Sequence, residues 1–257
     1  MHYEVHGPAD APVVVLSSGL GGLGQYWAPQ IPALSSLYRV IIYDHLGTGN
    51  SPGRLPEGYT VADMAAEVAA MLAGIGITSC AFMGHALGGL VGLRLAHDQP
   101  RLIRRLVLVN TWAKTHPHTI RCFETRINLL QHSGVAAFIK AQPLFLYPAD
   151  WLASRQEWLT EQDAAGVAHF QGLETLLGRI QAILAFDMTT EAAAIAVPVS
   201  LIAARDDLLV PSTCSRMLAE LLPRAWLRVM EFGGHACNVT DPEGFNALLA
   251  DALPDTG

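Results

Sequence analysis

Three short stretches of this sequence hold residues whose types and spacing could do chemistry. Gly84-His85-Ala86-Leu87-Gly88 has the frame of a strand-to-helix elbow, G-x-S-x-G, which presents a nucleophile on a sharp turn. Ala86 stands where the serine would. A methyl group cannot attack a carbonyl, so no covalent acyl intermediate can form there. The turn still aims a backbone donor, the Leu87 N–H. The earlier run Gly19-Leu20-Gly21-Gly22-Leu23-Gly24 offers a second donor, the Leu20 N–H, and two such groups make an oxyanion hole. Farther along, Asp206-Asp207-Leu208-Leu209-Val210-Pro211 and Gly233-Gly234-His235 each follow a strand-like apolar run. The chain order is therefore elbow, carboxylate, histidine. A carboxylate that orients a histidine can drive acid–base chemistry on water without any nucleophilic side chain.

Other groups compete for attention. The run Gly19 to Gly24 also fits G-x-G-x-x-G, and Asp44 ends the next strand, as a dinucleotide site would have it. A nicotinamide-dependent oxidoreductase is therefore an alternative reading. The segment after that loop is aromatic and broken by Pro29 and Pro32, a poor start for a helix that must face a pyrophosphate. His85 neighbours the elbow position and is expected to pack as a structural histidine. Cys237 is expected to be a small buried hydrophobe. His116, His118 and Cys122 have irregular spacing around Pro117, so they read as a loop entering a helical segment rather than a metal cluster. Trp112, just past a strand end, could wall a pocket or anchor that segment to the core.

The elements that must position these residues follow from periodicity. Val13–Ser17, Arg39–Asp44, Cys80–Met83, Leu106–Asn110, Val199–Ala204 and Trp226–Phe232 are apolar, partly β-branched runs. Continuous rather than alternating runs imply strands covered on both faces, hence a parallel sheet. Thr60 to Ile75 carries a helical stripe with a Thr60–Asp63 capping box at its start. Helices are also expected within 25–37, where the prolines push it late, over Leu87–His97, near Thr213–Leu221, and after Asp241-Pro242. Residues 111–196 hold no convincing strand, and prolines at 117, 143 and 148 break their helical stretches. The expectation is a doubly wound, mostly parallel α/β core over 1–110 and 197–257 with a helical cap inserted at 111–196. Met1 to His6 leaves room for one edge strand before the core.

Composition narrows the function classes. Hydrophobic residues make up 51% of the 257 and charged residues 15%, so a large core is expected rather than disorder. Sixteen basic against 23 acidic residues give a net charge of −7, and no Lys/Arg run is present. Nucleic acid and anionic membrane are poor partners for such a chain. No apolar run is long enough for a membrane span, and the N-terminus lacks the signature of a signal peptide. Four widely spaced cysteines fit a reduced, cytoplasmic protein. Asn238-Val239-Thr240 matches a glycosylation acceptor that would matter only after secretion. No cofactor or metal is called for. The expected partner is a small molecule, with a homodimer left open.

Taken together these motifs resemble the α/β-hydrolase fold over nearly the whole chain. More narrowly, Gln142–Trp151 (QPLFLYPADW), Ala168–Gly172 (AHFQG), Asp206–Pro211 and Gly233–Pro242, with the alanine elbow, are similar to the RutD family of bacterial pyrimidine utilisation. The resemblance implies alanine at the elbow, Asp207 rather than Asp206 as the partner of His235, and Asp206 as a solvated turn carboxylate. It implies a labile anionic substrate: aminoacrylate, converted with water to malonic semialdehyde and ammonia, or carbamate. For such a substrate an inward arginine at the start of the cap, Arg121 or Arg126, would be a carboxylate clamp. A non-catalytic small-molecule binder that lost its serine is the runner-up reading.

Overall fold

The computed structural model describes residues 1–253. Seven strands form one sheet: β1 (Tyr3–His6), β2 (Val13–Ser17), β3 (Arg39–Tyr43), β4 (Cys80–His85), β5 (Ile103–Val109), β6 (Val199–Ala204) and β7 (Ala225–Met230). Their spatial order is β1-β3-β2-β4-β5-β6-β7. Only β1 runs antiparallel, pairing Tyr3 with Tyr43 on β3. It uses the short N-terminal stretch as a single edge strand.

Why the strand runs are apolar throughout is visible in the packing. Val14 and Leu16 join Trp27, Phe245 and Leu249 on one face, while Val15 packs with Met64 and Leu87 on the other. Helices on both faces bury the central strands β2, β3, β4 and β6 almost throughout, so polar alternation does not arise there, whereas the edge strands β1 and β7 keep exposed positions. Before β5 those helices are α1 (Ile31–Leu34), α2 (Val61–Gly74) and α3 (Leu87–Asp98). Pro29 and Pro32 reduce the first crossover to a 3-10 turn at Gly24–Trp27 and the four residues of α1. The α2 capping box is formed in both directions: Asp63 N–H donates to Thr60 Oγ1 at 3.2 Å, and Thr60 N–H to Asp63 Oδ2 at 2.8 Å.

Between β5 and β6 come α4 (Pro117–Leu146), α5 (Ala149–Ala153), α6 (Gln156–Ala168) and α7 (Leu173–Ala185). Here the proline reading needs correction. Pro117 opens α4 at its first turn and Pro143 lies inside it; the break within α4 falls at Gly134, with φ +85°. Pro117 gives up an N–H that a first turn leaves unpaired anyway, whereas φ > 0 interrupts a helix outright. His118 and Cys122 therefore sit in the first turns of α4 rather than in a loop. The chain closes with α8 (Ser212–Leu221), α9 (Cys237–Thr240) and α10 (Pro242–Ala252). Asp241 caps α10, accepting from Gly244 N–H at 3.0 Å. Among the described residues no helix is long and apolar enough to cross a membrane.

Candidate active site

Parallel register brings the two glycine loops together. Ser17 on β2 pairs with Gly84 on β4, so three residues past each lie Leu20 and Leu87. The elbow itself is strained: Ala86 has φ +48° and ψ −111°, a conformation that a non-glycine residue holds only when its surroundings enforce it. A 2.9 Å bond from the Ala86 N–H to the Val109 carbonyl contributes. The flanking glycines permit the turn to close. A Cβ on Gly84 would collide with the Gly88 backbone, and one on Gly88 with Ser17. Among the described residues neither the Leu20 nor the Leu87 N–H finds a protein acceptor.

The acid and histidine come from the next strand ends. His235 Nδ1 stands 2.7 Å from Asp207 Oδ2. The other carboxylate oxygen, Oδ1, accepts from Leu209 and Val210 N–H groups, both at 2.8 Å. Three contacts thus hold the Asp207 carboxylate, two of them from the turn it sits in, and its side chain is fully shielded from solvent. With Nδ1–H donating to the carboxylate, Nε2 is left as the basic nitrogen, and no protein group among the described residues binds it. Asp206 is exposed in its turn, as expected, and it also has a binding task. It accepts from Gly233 N–H at 3.2 Å and Gly234 N–H at 2.9 Å, so neighbouring carboxylates hold both the imidazole and the loop that carries it.

That is the acid–histidine arrangement of one large family. The family model described as alpha/beta hydrolase fold matches residues 12–242. A protein of Stutzerimonas stutzeri named "Putative carbamate hydrolase RutD" is 51% identical over 257 residues, covering 99% of this chain and 97% of its own. The protein of that name from Escherichia coli O9:H4 is 53% identical over 245 residues, covering 95% and 92%. The chain belongs to the α/β-hydrolase fold family and, within it, to the RutD group. Among solved structures, an enol-lactonase from Burkholderia xenovorans superposes with a TM-score of 0.88 at 28% identity, covering 99% of this chain and 96% of the other.

In this α/β hydrolase, the groups behind the pair are as ordered as the pair. His85 is buried, with its ring centroid 4.5 Å from that of His235, and its Nε2–H donates to the His235 carbonyl at 2.7 Å. Burial holds its pKa well below the ordinary range, so it stays neutral and packs as a structural residue. Asn110 was not singled out by sequence. It sits at φ +47° at the end of β5, donates to the same His235 carbonyl at 2.8 Å, and accepts from Ala204 N–H at 3.0 Å. Asparagine at a strand end, with its tolerance of left-handed backbone, was the available signal. Cys237 is fully buried beside Asn110, and burial pushes its thiol up to about 12, which disfavours the nucleophilic thiolate. Asn238 is fully buried and bonded to Tyr26 and Gln30, so its glycosylation motif is not accessible.

The dinucleotide reading loses its residues to the protein. Asp44 accepts from Gly24 N–H at 2.9 Å through Oδ1 and from Asn50 N–H at 2.9 Å through Oδ2. A Cβ at Gly24 would press on the Tyr43 backbone, one at Gly19 on the His85 ring, and one at Gly22 on Arg179. These glycines are set by close protein contacts, not by an open phosphate cradle.

The remaining candidates lie on or beside the helices between β5 and β6. Arg126 on α4 is 4% exposed and enclosed by Phe123, Phe138 and Phe145, with ring centroids at 5.2, 5.7 and 5.7 Å. Its guanidinium donates to Gln142 Oε1, pairs with no carboxylate among the described residues, and leaves Nε buried without a partner. Burial lowers its pKa to about 10, so it remains a cation at neutral pH. Arg121 is exposed. Trp112 is buried, and its Nε1–H donates to Thr115 Oγ1 at 3.2 Å, which in turn donates to the Ile183 carbonyl on α7. His118 bonds to the Leu208 carbonyl at 2.6 Å, and Ala236 N–H donates to the Leu146 carbonyl at 3.0 Å. Both contacts tie α4 to the acid and histidine loops. A polar cavity of about 300 Å³ lies along Gly47–Gly53 and His169–Gln171; neither Ala86, Asp207 nor His235 lines it. Those three are each at most 7% exposed, so the pair lies beneath covering chain.

Proposed function

We propose that this chain is a hydrolase of pyrimidine catabolism that speeds the breakdown of a labile, anionic C–N compound by acid–base catalysis alone. The observation that carries the reading is the pairing of His235 with Asp207 at 2.7 Å beside an elbow that has no nucleophile. A pure binding scaffold has no use for a desolvated, oriented imidazole–carboxylate pair.

Aminoacrylate is the substrate that fits this chemistry. Protonated His235 Nε2 gives its proton to the enamine carbon, producing an iminium. Water adds to the carbon bearing nitrogen, losing a proton to the imidazole. The resulting carbinolamine breaks its C–N bond, and ammonia leaves with malonic semialdehyde as the product. Atoms balance with one water consumed. Asp207 keeps Nδ1 protonated and stabilises the imidazolium. In this proposal the water takes the place that a serine hydroxyl would fill at residue 86. The Leu20 and Leu87 N–H groups stabilise developing negative charge on oxygen. Arg126, a cation with no protein counter-ion, holds the substrate carboxylate. Carbamate, the substrate in the names of the RutD relatives, is also small and anionic, and would need only a proton at nitrogen to release ammonia and carbon dioxide.

Residues 111–196 act in this proposal as a cap over a core of 1–110 and 197–257, with Trp112 and Thr115 fixing its root. The setting is the cytoplasm. The scale required is modest, since binding and oxyanion donors alone sustain roughly 10³–10⁴ over water in enzymes stripped of their triad. Ammonia release from freshly generated aminoacrylate and from carbamate, each against its uncatalysed rate, tests the reading. Acceleration of one supports it, and acceleration of neither removes it.

A further inference from the structure

A second buried arginine is not used by the chemistry above. Arg179 on α7 is fully buried and pairs with no carboxylate among the described residues. Its sequence position hides it: it shares the apolar face of α7 with Leu176, Ile180 and Ile183, where a cation has no evident place. Its partners explain the placement. Nη2 donates to the Leu46 carbonyl at 2.6 Å and to Thr48 Oγ1 at 3.1 Å; Nη1 donates to Gln171 Oε1 at 2.6 Å. Gln171 then uses its amide Nε2–H to donate to the Leu20 carbonyl at 3.2 Å.

The Gly19, Leu20 and Gly22 carbonyls around the first oxyanion donor thereby all have donors. The Gly19 carbonyl accepts from Gly22 N–H at 3.0 Å, and the Gly22 carbonyl accepts from His45 N–H at 2.8 Å and Thr48 Oγ1 at 3.4 Å. A peptide's C=O and N–H point in opposite directions, so the Gly19–Gly22 turn bond sets the heading of the Leu20 N–H. The Gln171 bond fixes the next peptide plane, and Gly22 lies against the guanidinium with no room for a side chain. We propose that Arg179 is a positioning residue that acts through Gln171 to hold the Leu20–Gly21 peptide, and with it the turn that aims the Leu20 N–H, so that the oxyanion hole is completed only when α7 is seated on the core.

The catalytic part of this inference rests on the reading under Proposed function, whereas the positional part does not. Gln171→Glu separates them. A glutamate keeps, and strengthens, the contact to Arg179, but it cannot donate to the Leu20 carbonyl. Amide resonances of Leu20 and Gly21, thermal unfolding, and ammonia release are read on wild type, Gln171→Glu and Arg179→Met. For Gln171→Glu the expected result is shifted Leu20 and Gly21 amides, unfolding no easier than wild type, and kcat about tenfold lower at unchanged KM, a fraction of what loss of a whole donor costs. Arg179→Met is expected to shift the same amides. Unmoved amides in Gln171→Glu overturn the positional inference even if the wild type releases no ammonia. Moved amides with wild-type kcat overturn its catalytic part. Failure of the wild type itself to turn over strikes the proposed function instead, and the amide shifts still decide the relay.

Discussion

Asp207 divides its carboxylate between two tasks: Oδ2 meets His235 Nδ1 at 2.7 Å, while Oδ1 accepts the N–H groups of Leu209 and Val210 at 2.8 Å each. The second task fixes the first, because a carboxylate gripped by its own turn cannot rotate away from the imidazole. Asp207→Asn separates charge from position. The asparagine oxygen can still accept both N–H groups, but its NH₂ faces Nδ1 and forces the proton to Nε2, the wrong tautomer for a base. We expect kcat for ammonia release to fall by about 10²–10⁴, the span of general acid–base catalysis, with little change in the unfolding midpoint.

Restoring the hydroxyl should change the reaction rather than improve it. Ala86→Ser places an oxygen on a turn already bent to φ +48° for a nucleophile. The expected outcome is an acyl-enzyme burst with p-nitrophenyl acetate that the wild type lacks, together with slower ammonia release because the serine fills the site of the water. Stopped-flow absorbance reads the burst, and its absence would show that His235 does not reach residue 86.

Arg126 should reveal itself by opposite effects on stability and affinity. Its charge is desolvated among three phenylalanines without a carboxylate partner. Arg126→Met fills similar volume without that cost, so chemical denaturation should show stability equal or raised by on the order of 1 kcal/mol. Loss of a charge-assisted bond to the substrate carboxylate, about 1.5–3 kcal/mol, should raise KM by about 10- to 100-fold. Lower stability with unchanged KM would make Arg126 a packing residue.

Acid should destabilise the fold through buried neutral histidines. Burial, together with the nearby Arg179 charge, lowers the His45 pKa from 6.5 to about 3. From about pH 6.5 down to about 3 the unfolded chain binds a proton that the folded chain refuses, so stability present above this window is lost as pH falls through it. Each such histidine contributes a slope of about 1.4 kcal/mol per pH unit inside the window. His45→Gln, which still reaches the Ser18 carbonyl, should reduce the slope between pH 6 and pH 4 by about one proton's worth in urea titrations.

Much of this architecture was legible because it rests on local rules. The capping box at Thr60, the strand runs, and the order of elbow, acid and histidine each follow from residue type and spacing. What escaped depends on contacts between distant segments. Pro143 reads as a breaker, yet α4 continues through it and turns at Gly134 instead. Asp206 reads as a surface carboxylate and is one, but nothing nearby announces that it will also bind the N–H groups of Gly233 and Gly234. Asn110 and Arg179 act across separations of more than a hundred residues. Helical and strand periodicity carries no information on such pairs.

The central claim is that an oriented imidazole suffices without a nucleophile, and His235→Ala tests it most directly. Ammonia release from freshly generated aminoacrylate should exceed the uncatalysed rate, with the wild type, by more than the roughly 10³–10⁴ that binding and oxyanion donors alone sustain. With His235→Ala at least about 10² of that should disappear while the fold, read by circular dichroism, is retained. A His235→Ala protein that releases ammonia as fast as the wild type would contradict the account.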